Sequence, residues 1–537
     1  MLPEIRVYNG KKVLYVGDAP FYAVAGEVHN SDASSSEYME EIWRIADDLG
    51  LNTLLLPVTW ELLEPVEGTF DFSVPDELIH QARKWKKKII FLWFGSWKNA
   101  EMMYAPSWVK KDRKRFKRAQ IIKGEEKSVR DMGGLKIPYY SLSYLCEETR
   151  EADANAFANL MAHIRQTDED GSTVIAVQVE NETGVLGSAR EVSDMADMFF
   201  GQKVPDDFVK YMKMHAEAME DDIRTAVEEG KADGTWSEVF GDAAEEIFSA
   251  FHIASFVNYV AERGKGQHPL PMLANCWLAH RGDKPGDYPS GGPVSRVHEV
   301  WRYCAPALDV LCPDIYVPEF FEVCDEYTRK DTPLFIPEAA THSYAASRLA
   351  YCIGHYHAMC YSPFGFDDIG KPFSMVQGML FGVDVGDPAL KTPQKFEDYA
   401  RVGKALTSMM PMIAPKYGTT DLQAVCAEQK ETQSMMDFGN IRIMAVFQNP
   451  LIDIPQNGFA LGVKMNTDEI YLVGYNCVPI FMAGDAKNLD ILELEEGEFV
   501  NGKWNRRRKL NGDEAALMMI SEPSIYRVKI HTYNDGM

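Results

Sequence analysis

Positive charge is scarce in this 537-residue chain: 55 Lys and Arg face 80 Asp and Glu, a formal net charge of −25. A surface of that sign repels phosphate, which argues against nucleic acid or an anionic membrane as partner. No apolar run is long enough to cross a bilayer. The first residues, Met1-Leu-Pro-Glu-Ile-Arg6, lack the basic stretch and apolar core of a secretory leader, so a cytoplasmic, membrane-free location is expected. Ordered cysteine spacing is also missing. The nine cysteines are scattered and often sit in apolar runs, as at Cys276, Cys312 and Cys360, with no Cys-x-x-Cys pair. A zinc site and a disulfide framework both fit poorly, and buried thiols in a reducing compartment fit better. There is no convincing His/Asp cluster and no Gly-rich phosphate loop, so neither a metal nor a cofactor is expected.

What is present is a globular composition, 46% hydrophobic and 25% charged, on a chain too long for one ordinary domain. Its organising stretch runs from Thr173 to Gly184, Thr-Val-Ile-Ala-Val-Gln-Val-Glu-Asn-Glu-Thr-Gly. Thr173 to Val179 reads as a strand buried on both faces, as in a parallel sheet. It ends directly in Glu180-Asn181-Glu182, at the carboxyl end of a strand, where α/β folds build their sites. A second short apolar run, Leu334 to Ile336, is followed by Glu338. In a barrel all such strand ends share one mouth, so Glu182 and Glu338 can meet despite their distance along the chain. Two carboxyl groups facing each other across a pocket are what glycosidic cleavage requires.

The remaining runs fit a (β/α)8 barrel of residues 1–411 and an all-β sandwich of residues 412–537. A hairpin about Asn9-Gly10 is expected to lie at the amino-terminal face as a lid or plug. Strand one is Phe21 to His29, with Glu27 and His29 at its end; taken alone, His29 is better read as a hydrogen-bonded structural histidine. A helix over Ser34 to Leu49 with a serine cap leads to strand two, Asn52 to Val58. Strand three, Ile89 to Phe94, runs into Trp97, Lys98 and Asn99. Aromatic rings at a barrel mouth stack on sugars, and Trp97 rather than Trp108 is the ring chosen here. The long polar stretch Arg190 to His268 predicts a helical insertion after strand four, with helices about Asp206 to Glu229 and Ala243 to Arg263. Strand five ends in Trp277, strand six in Asp314-Ile-Tyr316, and strand eight spans Met359 to Phe366. Beyond Pro415 the runs Ile441 to Phe447, Phe459 to Val463, Glu469 to Gly474 and Ser524 to His531 predict the sandwich strands. Trp504, in the basic segment Lys503 to Lys509, is a weak pointer to sugar binding there.

Gln178-Val-Glu-Asn-Glu182, followed by Thr-Gly, resembles the signature of the family 35 β-galactosidases. Ala25-Gly-Glu-Val-His-Asn30 resembles that family's first-strand block. Gly50-Leu-Asn-Thr53 with Trp60, Glu64-Pro65 and Gly68-Thr-Phe-Asp-Phe72 resembles its second, a block also similar in family 42. The resemblance implies a retaining exo-β-galactosidase: Glu182 as acid and base, Glu338 as nucleophile, and Asn181 on the sugar 2-hydroxyl. Substrate contacts would come from Glu27, His29, Trp97, Asn99, Trp277 and Tyr316. Tyr316 would either donate to Glu338 or stand as an ordinary strand-end tyrosine. Glu180 is better explained by an ion pair to a neighbouring loop. Burial and the second carboxylate are expected to keep Glu182 protonated. The family pattern is altered at Thr183, Pro57, Leu63 and Lys98-Asn99, so the reaction is implied more firmly than the sugar. The expected partner is a small glycoside or oligosaccharide, and a homo-oligomer through the appended module is left open. The rival classes are a glycosidase for another sugar and a non-catalytic carbohydrate-binding barrel.

Overall fold

The structure is a computed structural model that describes residues 1–132, 135–328, 332–372, 391–429, 432–448 and 456–534. Strands β1 (Glu4–Tyr8) and β2 (Lys11–Val16) form the expected hairpin. Asn9 and Gly10 both adopt the positive φ, 48° and 79°, that a tight two-residue turn demands. A short β3 (Ala19–Phe21) completes this small sheet.

Short apolar runs separated by helices bury both faces when they line up in parallel inside a helical ring. Among the described residues, eight such strands close a barrel: β4 (Ala23–Glu27), β5 (Thr53–Thr59), β6 (Lys88–Phe94), then β9 (Val174–Val179) to β13. Between β6 and β9 lies an unforeseen hairpin of β7 (Ser128–Met132) and β8 (Leu135–Tyr139). The circuit continues through β10 (Met272–Trp277), β11 (Val310–Ile315), β12 (Phe335–Ala339) and β13 (Cys360–Pro363), which pairs back with β4. Leu55, Ile90, Ile175, Leu273, Phe335 and Cys360 belong to one interior cluster that Leu14 joins and that Ile5, Val16 and Phe21 pack against. The amino-terminal sheet is therefore the plug of the barrel floor.

The first helix, Ser36–Asp48, is capped by Ser35, whose hydroxyl accepts from Tyr38 N–H. The insertion after β9 is helical, but the expected Asp206 to Glu229 helix is broken into Asp206–Met214 and Asp221–Glu229. The first piece packs on helix His298–Cys304 and the second on Trp236–Phe240, two partners that one straight rod would not serve. A single long helix, Ala244–Lys265, then returns to the barrel.

The carboxyl-terminal part is a sandwich of a six-stranded and a three-stranded antiparallel sheet around a second core that includes Ile443, Phe447, Leu472 and Val528. The strands β14 (Leu422–Cys426), β15 (Gln433–Asp437), β19 (Val478–Ala483), β20 (Asn488–Val500) and β21 (Lys503–Leu510) join the four foreseen ones. The basic segment is β21, held against acidic β20 by Arg508–Glu496 at 2.6 Å and Arg506–Glu495 at 3.1 Å. Trp504 is accordingly a packing residue: its ring meets Tyr471 and Phe499, and Nε1–H donates to Glu495 at 2.9 Å.

Candidate active site

At the carboxyl ends of the barrel strands the buried positions turn polar. Glu27 on β4, Gln178 on β9, Asn275 on β10, Asp314 on β11, Glu338 on β12 and Ser362 on β13 are all at most 4% exposed. Many of their oxygens have no hydrogen-bond partner: both of Glu27, Gln178 Oε1, Asp314 Oδ1 and Ser362 Oγ, along with Thr59 Oγ1 at the end of β5. Orphaned buried acceptors are costly, and so many at the strand ends mark this mouth as the candidate ligand site.

The two expected catalytic carboxylates meet here. Oxygens of Glu182, Asp314 and Glu338 lie within 4.8 Å of one another. Glu182 follows the last residue of β9 by three positions and takes a left-handed φ of 45°, as does Glu180 at 62°. Such conformations cost a non-glycine residue about 1–3 kcal/mol and persist where surrounding bonds fix them. The fixing bonds are present: Glu182 N–H donates to Asn275 Oδ1 at 3.0 Å, and its carbonyl accepts from Ala100 N–H at 3.0 Å. Ala100 and Asn99 are themselves left-handed, so the turn after β6 is shaped to grip the strand end of β9.

Glu338 accepts from the Tyr316 hydroxyl at 2.8 Å on Oε2, and Asn181 Nδ2 and Asn275 Nδ2 approach Oε1, each at 3.4 Å. Burial first, then Glu338, holds the Tyr316 phenol protonated far above its ordinary range, so it remains a donor. Asn275 Nδ2 also donates to Asp314 at 2.7 Å. Burial, with Glu338 and Glu182 next, pushes Asp314 well up; burial and Glu338 do the same to Glu27, with Lys98 opposing. Lys98 is 2% exposed and its Nζ donates to Asn181 Oδ1 at 2.9 Å. Burial lowers that ammonium, but Glu338, Glu182, Glu27 and Asp314 together raise it above its ordinary value.

The other expected contacts divide. Trp277 is a half-buried ring at the end of β10, in register with Asp314 and packed on Ala100, Tyr139 and Leu186. Asn99 is half-buried at the mouth-side turn. His29 is engaged with the loop after β13: its Nε2 bonds Asp368 at 3.0 Å and its ring meets Phe364 edge-on. Trp97 is 2% exposed with its ring against Phe256 at 4.8 Å, so it presents no open face to a sugar. Trp108 likewise packs edge-on to Trp60 and Phe116. Among the described residues Glu180 makes no ion pair; it is fully buried, accepts from Trp97 N–H at 2.8 Å and lies beside the Asp153 carboxyl.

Among the described residues, two groups have the spacing to hold a cation, His29–Asp367–Asp368 and Glu182–Asp314–Glu338. Each already faces a cationic side chain, Lys371 on Asp368 at 2.8 Å and Lys98 beside the second group, and we read neither as a metal centre. Lys98, Asn275 and Asp153 were not foreseen as site residues. Asn275 had a signal, since it interrupts the apolar run Met272–Trp277 as Gln178 interrupts β9. Lys98 had one too, standing just past the apolar run of strand three where the family pattern is altered, but it was not read as a site residue.

A domain of unknown function, DUF5597, matches residues 400–519, which span most of helix Phe396–Ile413 and much of the sandwich. No curated protein matches the chain. Among solved structures, the chain is similar to the β-galactosidase of the psychrophilic Marinomonas ef1 at 12% identity and a TM-score of 0.45, over 74% of this chain and 60% of that one. It thus spans about 60% of that relative's length. It is also similar to the cold-adapted β-galactosidase of Rahnella sp. R3 at 13% and 0.43, over 74% and 57%. The β-galactosidase of Bacillus circulans sp. alkalophilus matches at 11% and 0.45, over 94% of this chain and 99% of that one.

Proposed function

We propose that this chain is a retaining exo-glycoside hydrolase whose first substrate class is terminal β-D-galactosides. The observation that carries the reading is the pair itself, oxygens of Glu182 and Glu338 within 4.8 Å across a mouth of unpartnered buried acceptors. Retaining enzymes hold their carboxyl groups about 5–5.5 Å apart, whereas inverting ones leave about 6.5–9.5 Å for a water. In this reading Glu338 attacks the anomeric carbon as Glu182 gives its proton to the departing oxygen. Water, deprotonated by Glu182, then releases the sugar from Glu338 with net retention. The Tyr316 hydroxyl aims the nucleophile, and Asn181 Nδ2 is available to the 2-hydroxyl beside it. Trp277 supplies the aromatic face that Trp97 does not.

The galactoside part rests on the sequence resemblance, and it is the part that the altered residues Pro57, Leu63 and Lys98-Asn99 bear on. The test is turnover of nitrophenyl β-galactoside, β-glucoside, β-fucoside and α-L-arabinopyranoside, with proton NMR of the first anomer released. The β-anomer should appear first from the galactoside. First appearance of the α-anomer would end the retaining reading, and no turnover of any glycoside would end the glycosidase one. A kcat/KM preference for the glucoside above about tenfold, roughly 1.4 kcal/mol, would remove the galactosidase label alone.

A further inference from the structure

The mouth holds one buried cation among four carboxyl groups. Lys98 comes from the turn after β6 and faces Glu27 from β4, Glu182 from β9, Asp314 from β11 and Glu338 from β12. Asn181, Asn275 and Tyr316 fill the remaining polar positions around Glu338, and the Phe94 ring lies 4.9 Å from Nζ on the apolar side. An ordinary structural lysine would pair with one carboxylate. This one spends its described hydrogen bond on the neutral amide of Asn181.

That bond has a consequence for the amide. An ammonium only donates, so it must face the amide oxygen, and the amide NH2 is then obliged to face Glu338 and the mouth. Reversed, the amide would point its oxygen at a carboxylate. The turn that carries Lys98 is the same one whose Ala100 N–H holds the Glu182 carbonyl, with Asn99 and Ala100 both at positive φ. The cation and the catalytic strand end are therefore set by one piece of backbone.

Building on the glycosidase reading, we propose that Lys98 is a positioning residue of the reaction: it fixes the facing of the Asn181 amide and supplies the positive charge that balances the carboxyl groups of the mouth. It need not touch the substrate. Removing it leaves Asn181 free to turn and leaves the four carboxyl groups without their cation.

The experiment compares Lys98→Met, Lys98→Arg and the double variant Glu27→Gln/Lys98→Met, all in the full chain. For Lys98→Met, kcat should fall about 100-fold or more with KM changed only a few-fold. The acid limb of kcat/KM against pH should move up by about one unit. Lys98→Arg should return the limb to the wild-type position and recover part of the rate. The double variant removes one carboxylate with the cation, and it carries the same measurement if the single variant does not fold. An unmoved acid limb and a kcat within about threefold of wild type, in a variant that folds, would overturn the proposal. A second readout needs no turnover: the thermal midpoint lost in Lys98→Met should grow from pH 5 to 8, because the raised carboxyl groups of Glu27 and Asp314 have no cation to balance them as rising pH favours their charged forms. A loss constant over that range would overturn the charge role. If the wild type hydrolyses no glycoside, the proposed function falls, and the midpoint series still decides whether Lys98 balances the four carboxyl groups.

Discussion

Glu180 and Asp153 set their carboxyl groups side by side, both fully buried. Two buried carboxyl groups so placed are expected to hold one proton between them, since both ionised would repel. Asp153 accepts in addition from Trp93 Nε1–H at 2.8 Å, and from the N–H and hydroxyl of Ser96 at 2.9 and 2.5 Å. The pair thus ties helix Glu147–Thr167 and the end of β6 to the residue just before Asn181-Glu182. Gly95 lies against it so closely that a Cβ would come within 2.4 Å of Trp93 Nε1 and 2.8 Å of Glu180 Oε1.

Burial is the first cause that raises both carboxyl groups, and Asp153 raises Glu180 further. An acid whose folded pKa exceeds its unfolded one loses stability for the fold as pH rises from the unfolded value through the folded one. The pair should therefore weaken the protein toward alkaline pH. Glu180→Gln keeps a donor toward Asp153 and removes one titrating group, so the fall in thermal midpoint between pH 6 and 9 should shrink. A fall equal to that of wild type would refute the shared proton. Gly95→Ala should cost about 1–3 kcal/mol through overpacking at this contact.

Glu338→Gln should abolish turnover of every glycoside. Glu182→Gln should instead slow poor leaving groups by about 10²–10⁴-fold and largely spare dinitrophenyl glycosides, which need little protonation. Azide added to Glu182→Ala should restore turnover by attacking the glycosyl-enzyme. Equal losses of Glu182→Gln on activated and unactivated aglycones would take Glu182 out of the acid role.

Tyr316→Phe removes the 2.8 Å bond to Glu338 without changing the shape of the site. A hydrogen bond to a charged group contributes about 1.5–3 kcal/mol, so kcat should drop roughly 10- to 150-fold. The thermal midpoint should hardly move. Wild-type kinetics in the phenylalanine variant would mean that the bond does not aim the nucleophile.

Glu27 has more unmet hydrogen-bonding capacity than any other side chain of the mouth, with both oxygens buried and unpartnered. A carboxyl group can take two neighbouring sugar hydroxyls at once. Glu27→Ala should lower kcat/KM by about 10- to 100-fold on the full sugar. On the deoxy analogue lacking the contacted hydroxyl the penalty should nearly vanish. A penalty equal on all deoxy analogues would exclude direct contact.

Much of the barrel and the heart of its site was legible beforehand, for a physical reason. A parallel strand is buried on both faces, so a run such as Val174–Val179 is written as unbroken apolar residues, and polar residues at its end are conspicuous. Glu182 and Glu338 were singled out in this way, and their oxygens come together; the Tyr316 donation, which is present, was expected from the family resemblance. Strands β20 and β21 of the six-stranded sheet were not legible, because they are stabilised by cross-strand charge and alternate nothing that periodicity detects. Trp97 misled because a ring next to a strand end can turn into the helical layer as readily as into the mouth. Glu180 misled because an acid buried without a cation has no signature in one dimension; it is explained only by Asp153 on a helix.

The barrel floor carries a consequence for how this protein is made. Tyr417, beyond the expected domain boundary, stacks on Tyr22 and His357 and donates its hydroxyl to the Ala358 carbonyl, while Tyr22 donates to Leu406 and Asn9 to the Tyr417 carbonyl. Residues from both ends of the barrel sequence thus complete one small buried patch. A nascent chain emerging from the ribosome leaves this patch open until the segment about Tyr417 is outside the tunnel, about fifty residues after β13 can pair back with β4. Chaperone demand during synthesis should be set by that late event, and a coding boundary drawn at residue 411 would sever the last stitch of the floor.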